Sequence, residues 1–221
     1  MNPIYRSVYR AQAQSGQAEN ATAHFKRQVA GLTLGLSPGD LLTISLFRWG
    51  AQFLCYCESI ERAIPPNVIF GDTSALLIDW PGGAVPRQCV PMADIYHCLA
   101  PQSLEDWRRK QPIDRISGKL ARLKPDMISS YIFYHYQFQE EQPGSFAKYG
   151  IISLHEDLIF FYQEMPYIVE EPRRSGKLRT ANTPDHWQEV MFPHFALWED
   201  VLSGQEIWRD IELIAHRGID P

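Results

Sequence analysis

The chain of 221 residues contains no apolar run near the length of a membrane-crossing helix, which takes about 20 such residues. It has no excess of positive charge. Its 21 lysines and arginines stand against 26 aspartates and glutamates, for a formal net charge of -5, with both signs mixed along the sequence. That balance argues against a nucleic-acid partner, which asks for a basic face. Cysteine is scarce, at four residues. Cys55 and Cys57 alternate along an apolar stretch, Cys89 stands alone, and Cys98 has His97 beside it. None of this has the spacing of a metal site, so no metal is expected. The cysteines read as reduced small hydrophobes. The start, "MNPIYRSVYRAQAQ", lacks a cationic segment followed by an apolar core, so no secretory leader and a cytoplasmic setting are expected. Walker, GxGxxG, HExxH and GxSxG motifs are missing, and no cofactor is expected.

What is present is ordinary for a globular protein: 45% hydrophobic, 21% charged and 12% aromatic residues, enough to bury a core without staples. Residues 4–14 read as a strand ending at Ser15-Gly16. Residues 18–32 read as a helix with Ala21, Phe25, Val29 and Leu32 on one stripe. "LLTISLFRWGAQFLCYCESI", 41–60, reads as a hairpin turning near Trp49-Gly50. Residues 62–86 are irregular, with a short helix expected at 72–79, and 87–98 read as one strand. Ser103 offers an N-cap with an acidic first turn behind it. It opens a linker helix that Pro112 breaks and Pro125 stops. Residues 128–140, which hold most of "YHYQFQEE" (134–141), read as a strand. "GIISLHEDLIFFYQEMPY", 150–167, reads as a second hairpin turning at Glu156-Asp157. Thr183-Pro184 reads as a helix start. Behind it Trp187, Val190, Met191, His194, Phe195, Trp198 and Val201 form a stripe that Pro193 should kink. Residues 207–217 close the chain as a strand.

Each half thus runs β-α-β-β-α-β, the ferredoxin-like order. Letters recur in the same order in both halves: "YRAQAQ" (9–14) with "YHYQFQ" (134–139), "ISL" (44–46) with "ISL" (152–154), "YCE" (56–58) with "YQE" (162–164), and "IYH" (95–97) with "IAH" (214–216). Four matches in one order favour an internal duplication. The expected fold class is α+β, with two ferredoxin-like β-α-β-β-α-β repeats at 1–100 and 127–221 and a linker helix over 101–126. Their antiparallel sheets would pack face to face as a pseudo-dimeric α/β barrel.

The second hairpin is the most informative piece. With a two-residue turn at Glu156-Asp157, His155 pairs Leu158, Ser153 pairs Phe160 and Ile151 pairs Tyr162. Ile152, Leu154, Ile159, Phe161 and Gln163 then share a nearly apolar face that should take the helices. Ile151, Ser153, His155, Leu158, Phe160, Tyr162 and Glu164 share a more polar face. Two such faces covering each other would enclose a partly polar lumen, the usual setting of a small-ligand site. This arrangement resembles the dimeric α/β-barrel superfamily, with two subunits fused in one chain. "ISLHEDLIFFYQEMP" resembles the hairpin of the L-rhamnose mutarotase branch, and "DHWQEVMFPHFALWEDV" is similar to the tryptophan-rich helix after it. The resemblance implies the architecture, and a lumen that works on small molecules. It fixes no catalytic residue, and the double length and irregular 62–86 segment depart from a mutarotase.

The residues that could do acid-base work are His135, Tyr162, Glu164 and His155. Histidine ordinarily titrates near neutrality, and Tyr and Glu on the polar face can pass protons or hold hydroxyls. Expected ligand-binding residues are Arg10, Gln12, Tyr134 and Gln137, the repeat counterparts Tyr56 and Glu58, and Trp187 and His194 on the aromatic stripe. Arg10 stands where His135 stands in the letter alignment, so at most one half would carry chemistry. His97 and His216 lie near strand ends, and "RRSGKLR" (173–179) would be a basic loop able to cover an anionic ligand. Together these features point to a small-molecule enzyme, with a cofactor-free sugar mutarotase or isomerase as the reading the resemblance favours. A non-catalytic binding or assembly module, and a monooxygenase or haem-type barrel protein, stay open. The expected partner is a small-molecule ligand, with neither nucleic acid nor membrane. The chain would be a monomer with an internal pseudo-dimer, or a homodimer.

Overall fold

The computed structural model describes residues 3–172 and 175–219. The chain is α+β, with antiparallel strand pairing and few helices, and divides into two units. Met1–Met92, Pro101–Pro112 and Glu212–Pro221 form unit 1; Ala93–Ala100 and Ile113–Ile211 form unit 2.

Unit 1 contains β1 (Ile4–Gln12), α1 (Ala18–Gly31), β2 (Leu41–Trp49), β3 (Gln52–Ile60), α2 (Pro66–Phe70), β4 (Cys89–Pro91) and the single turn α3 (Leu104–Trp107). Its strands run in the order β4-β1-β3-β2. The helix stripe behaves as its spacing requires: Ala21, Phe25 and Val29 are buried, and they join Ile44, Leu46, Phe53, Cys55 and Cys57 from the sheet in one core. Phe25 meets Phe53 and Phe70 edge-on, at 5.0 and 4.7 Å between ring centres. The β2–β3 hairpin turns at Gly50, whose φ of +56° suits a residue without a Cβ.

Unit 2 contains β5 (Ala93–His97), β6 (Arg115–Leu123), α4 (Ile128–Glu141), β7 (Ile151–His155), β8 (Leu158–Met165), α5 (Trp187–Met191) and β9 (Phe195–Ala196). The last strand, β10 (Arg209–Gly218), gives Arg209–Ile211 to this unit beside β6, and its remainder pairs β2 in unit 1. From β10 the strands of unit 2 run β6-β8-β7-β5. The β7–β8 hairpin has the expected register, with Ile151 opposite Tyr162, Ser153 opposite Phe160 and His155 opposite Leu158. Its apolar face takes the helices as well. Ile152 and Ile159 join Tyr131, Met191 and Phe195 in one core, with Leu154, Phe161 and Phe138 packed against it.

Several expected elements differ. Residues 128–140 are not a strand but most of helix α4. Their polar-aromatic alternation hid a 3.6-residue stripe: Ile128, Tyr131, Tyr134 and Phe138 fall on one side and pack on the sheet core, with His135 on the same side against Tyr131 and Tyr96. The linker helix over 101–126 is not there either. Ser103 does cap a helix, accepting from the Asp106 N–H at 3.2 Å, but the helix ends after Trp107. Beyond Pro112 the chain becomes β6, with Gly118, Leu120, Ala121 and Leu123 buried. The long helix expected after Pro184 is five residues of α5 and a 3₁₀ turn at Phe192–His194, because Pro193 ends it rather than kinking it. The helix expected at 72–79 falls instead at Pro66–Phe70, where Pro66 occupies the first turn. Residues 87–98 split into β4 and β5, which pair with different strands in different units.

Candidate functional site

The helix-side face of the unit 2 sheet does not fill completely. Between it and the two helices lies a cavity of about 650 Å³, within the range of small-molecule sites. Phe161 and Ile152 come from the sheet, Tyr131 and His135 from α4, Trp187 and Met191 from α5. Phe146, Tyr167, Phe195 and Trp208 complete an aromatic wall, and Lys119, Gln188 and Glu206 bring polar groups to it. Two polar side chains of this wall are deeply buried, His135 and Gln163, each 5% exposed.

His135 is held from one side. Its Nδ1 donates to the Tyr131 carbonyl one turn earlier, at 2.9 Å. A carbonyl only accepts, so Nδ1 carries the proton and Nε2 is the acceptor of a neutral ring. The ring lies 4.0 Å from that of Tyr131, 5.0 Å from Trp187 and 5.6 Å from Tyr96. Desolvation in this cage drives its pKa down to about 4, against the bond to Tyr131, with His194 adding to the fall. Burial likewise pushes the Tyr131 phenol up. At neutral pH the cage therefore contains an uncharged histidine and an un-ionised phenol.

The other expected acid-base residues stand elsewhere. Tyr162 and Glu164 alternate with Phe161 and Gln163 along β8, so they point from the opposite face of the sheet and do not meet His135. They form a pair of their own, with the Tyr162 hydroxyl donating to Glu164 at 2.7 Å, both residues buried. His155 ends β7 next to the turn, half-buried, with Nδ1 4.0 Å from Glu156.

In unit 1 the counterparts Tyr56 and Glu58 make the same contact, tyrosine hydroxyl to carboxylate two residues on. Here Arg109, just past α3, grips Glu58 with both guanidinium nitrogens, one at 2.9 Å. Arg6 donates to the Tyr56 hydroxyl at 3.1 Å and lies over the Tyr56 and Trp107 rings. Burial raises the Glu58 pKa, and Arg109, Tyr56 and Arg6 together more than reverse it, so Glu58 stays charged although fully buried. Arg10 and Gln12 form a relay in unit 1: Arg10 donates to Gln52 at 3.0 Å, Gln52 donates to Gln12 at 2.6 Å, and Trp80 lies under the guanidinium at 4.8 Å. By sheet register Arg10 faces Leu54 on β3 as Leu120 faces Phe160 on β8, so Arg10 corresponds to Leu120 and not to His135.

The remaining expected ligand residues divide. Trp187 lines the cavity. Tyr134 meets His194 edge-on at 5.9 Å, and His194 is buried and bonded to Ser130 at 2.8 Å and to the Met191 carbonyl, pinning α4 to the turn after α5. Gln137 is buried on another side of α4 from His135, its Nε2 without a hydrogen bond. His97 bonds Asp94 at 2.7 Å and His216 bonds Ser45 at 2.9 Å. Arg173 and Arg174 of the basic loop lie outside the described residues; Arg179 donates to the Gly176 carbonyl and the Ser175 hydroxyl.

Sequence reasoning missed Gln163, Tyr131, Phe161 and Trp208. For Gln163 a signal existed: it is the lone amide on the apolar face of β8. A polar group on a face meant for helices needs a partner. Among the described residues no cluster of histidine, cysteine, aspartate or glutamate is arranged to hold a metal ion. No helix of the described residues is long and apolar enough to cross a membrane.

No protein-family model matches the chain, and no curated protein does. Two solved structures are similar, each named "putative monooxygenase". One is from Fusobacterium nucleatum subsp. nucleatum ATCC 25586, with a TM-score of 0.42 and 8% identity, covering 98% of this chain and 94% of that one. The other is from Lactobacillus acidophilus NCFM, with a TM-score of 0.43 and 6% identity, covering 98% and 96%. Likeness of this degree says nothing about what this chain does.

Proposed function

We propose that the unit 2 cavity is the active site of a small-molecule enzyme, and that it takes an uncharged, planar aromatic compound carrying a hydroxyl or ring N–H. The observation that carries this reading is the pair His135 and Gln163: two buried polar side chains facing an aromatic cavity, neither of which spends its full hydrogen-bonding capacity on the protein. Aromatic walls reward flat ligands with area and edge contacts. They also penalise a charged ligand that finds no counter-charge at depth. His135 Nε2 accepts from the ligand's O–H or N–H, and the Gln163 amide can take a neighbouring carbonyl or a second donor.

His135 is the proton acceptor in this scheme. A base with a pKa near 4 is weak at neutral pH, so it suits an acidic O–H such as an activated phenol. As the proton moves to Nε2, the imidazolium and the phenolate form an ion pair beside aromatic rings, where Coulomb attraction is stronger than in bulk water. A sugar mutarotase would need a second proton-transfer group across the ligand. Tyr162 and Glu164 are on the far face of the sheet, which weakens that reading.

We also read the two units as ferredoxin-like repeats. Unit 1 runs 4-1-3-2, as β4-β1-β3-β2, and unit 2 follows the same order, as β10-β6-β8-β7, once the added strands β5 and β9 are set aside.

The test is binding of 2-naphthol, naphthalene and glucose, followed by tryptophan fluorescence and by melting temperature. 2-Naphthol should quench Trp187 and Trp208 and raise the melting temperature. His135→Phe, which keeps a ring in the wall, should weaken it about tenfold, the worth of one hydrogen bond, while leaving naphthalene, which has no donor, nearly unchanged. Stabilisation by glucose alone would overturn the aromatic ligand. No stabilisation by any of the three would overturn the site.

A further inference from the structure

Residues 175–186 have no regular secondary structure and lead into α5, whose Trp187, Gln188 and Met191 form one wall of the cavity. Two carboxylates at the end of α4 hold this segment. Glu140, 2% exposed, accepts from the Lys177 backbone N–H at 2.9 Å, with the Lys177 ammonium 3.9 Å away. Glu141 accepts from the Thr180 hydroxyl at 2.5 Å, from the Asn182 N–H at 3.0 Å, and from both the N–H and the hydroxyl of Thr183 at 2.8 and 2.5 Å. The backbones also touch: a Cβ on Gly176 would run into the Glu140 carbonyl oxygen.

Carboxylates in the last turn of a helix face the negative end of its dipole and weaken it. α4 carries two of them there, with no basic residue in its last turn. Helix stability does not account for that placement, whereas the donors of 177–183 do. Desolvation acts upward on Glu141, yet Thr180, Thr183 and Asn182 outweigh it and hold its pKa down to about 2. The carboxylate is therefore charged at neutral pH and able to accept all of these bonds.

We propose that Glu141 is a positioning residue for the candidate site: by fixing the chain at Thr180, Asn182 and Thr183 it sets where α5 begins, and so keeps Trp187 against His135. The lever is short. Thr183 is four residues before Trp187, and the Trp187 ring lies 5.0 Å from the His135 ring. Beyond α5 the chain is anchored by the His194–Ser130 bond and by β9 beside β6, whereas before it the Glu141 contacts are the anchor. This rests on the cavity being the ligand site, though the latch itself can be tested without a ligand.

The experiment compares the full-length chain with E141A, E141Q and G176A, by hydrogen exchange and by 2-naphthol titration. E141A should speed exchange of the amides of 182–191 about tenfold or more, since the Asn182 and Thr183 N–H groups lose their acceptor, while amides of α1 keep their rates. It should weaken 2-naphthol about tenfold, as expected for a misplaced aromatic wall. E141Q, which keeps one oxygen, should fall between. G176A, which lifts the segment off α4 with Glu141 intact, should reproduce E141A. Unchanged exchange at 187–191 in E141A would overturn the latch, whatever binds. Faster exchange with unchanged 2-naphthol affinity would overturn the positioning role. Failure of the unaltered chain to bind 2-naphthol would count against the cavity as the ligand site, and the exchange rates would still decide the latch.

Discussion

His135 shows how much a single residue's role depends on the element that carries it. On a strand it would have shared a face with Gln137 and Gln139, and an open lumen would have left its pKa near the ordinary 6.5. On α4 it donates to the Tyr131 carbonyl and lies in an aromatic cage, and its pKa falls to about 4. Stability should follow. The unfolded chain takes up a proton near pH 6.5 that the folded chain refuses until about 4. This contribution is whole above pH 6.5 and declines as pH falls from there to 4, by about 3 kcal/mol. His135→Phe, which keeps an aromatic ring in the cage, should flatten that part of the curve. Urea titrations of both proteins at pH 7 and pH 4.5 would show it, and an equal loss of stability in both would contradict the cage. The sequence marked His135 as a candidate because of its residue type. It could not show the cage, because Trp187 lies 52 positions away and meets His135 only after the chain folds. Gln163 was legible in a different way, as an amide out of place on an apolar strand face.

At the scale of elements, the sequence was clearest where one periodicity stood alone. The α1 stripe and both hairpins are such cases, and the β7–β8 register follows from alternation and a two-residue turn. Reading failed where two periods coexisted. Residues 128–141 alternate polar with aromatic and also carry apolar groups three and four apart; the helix wins because its stripe reaches the sheet core. It failed again where a good cap promised more helix than followed. The turn at α3 has its Ser103 cap, and it brings Trp107 to Arg6 on β1 and Arg109 to Glu58 on β3. Glu58 is fully buried there, and its charge is held by Arg109, Tyr56 and Arg6. Removing Arg109 leaves a buried carboxylate without its bidentate partner. R109M should therefore cost about 3 kcal/mol. The double variant E58Q/R109M should cost less than the two single losses added together, since it removes the charge along with its partner. Additive losses in chemical denaturation would mean the pair is not coupled.

Across the whole molecule, strand register shows which of the recurring letters occupy matching places in the two units and which do not. Tyr56 and Tyr162 each stand four residues beyond the first residue after their hairpin turn, and each bonds the glutamate two residues on. His216 faces Ser45, and His97 faces Ile151, which holds the same distance from its turn. The "ISL" pair is offset by two residues, and "YRAQAQ" on a strand has no counterpart in "YHYQFQ" on a helix. Arg6 faces Glu58 in unit 1, and Ile116 faces Glu164 at the same place in unit 2. The helix-side faces differ: α1 packs Phe25 and Val29 into the unit 1 core, whereas α4 borders a cavity lined by Tyr131 and His135. A ligand that binds this cavity should therefore act on one unit. With 2-naphthol at a hundred times its dissociation constant, stabilisation of the bound state is about 2.7 kcal/mol. Hydrogen exchange should slow by up to about a hundredfold for the amides of α4, β8 and α5 that open together with the cavity. Amides of α1 and of the β1–β3 pair should keep their rates wherever they open independently of unit 2. Equal protection in both units would show that the two open as one body, and that the division seen in the contacts is not a division in stability.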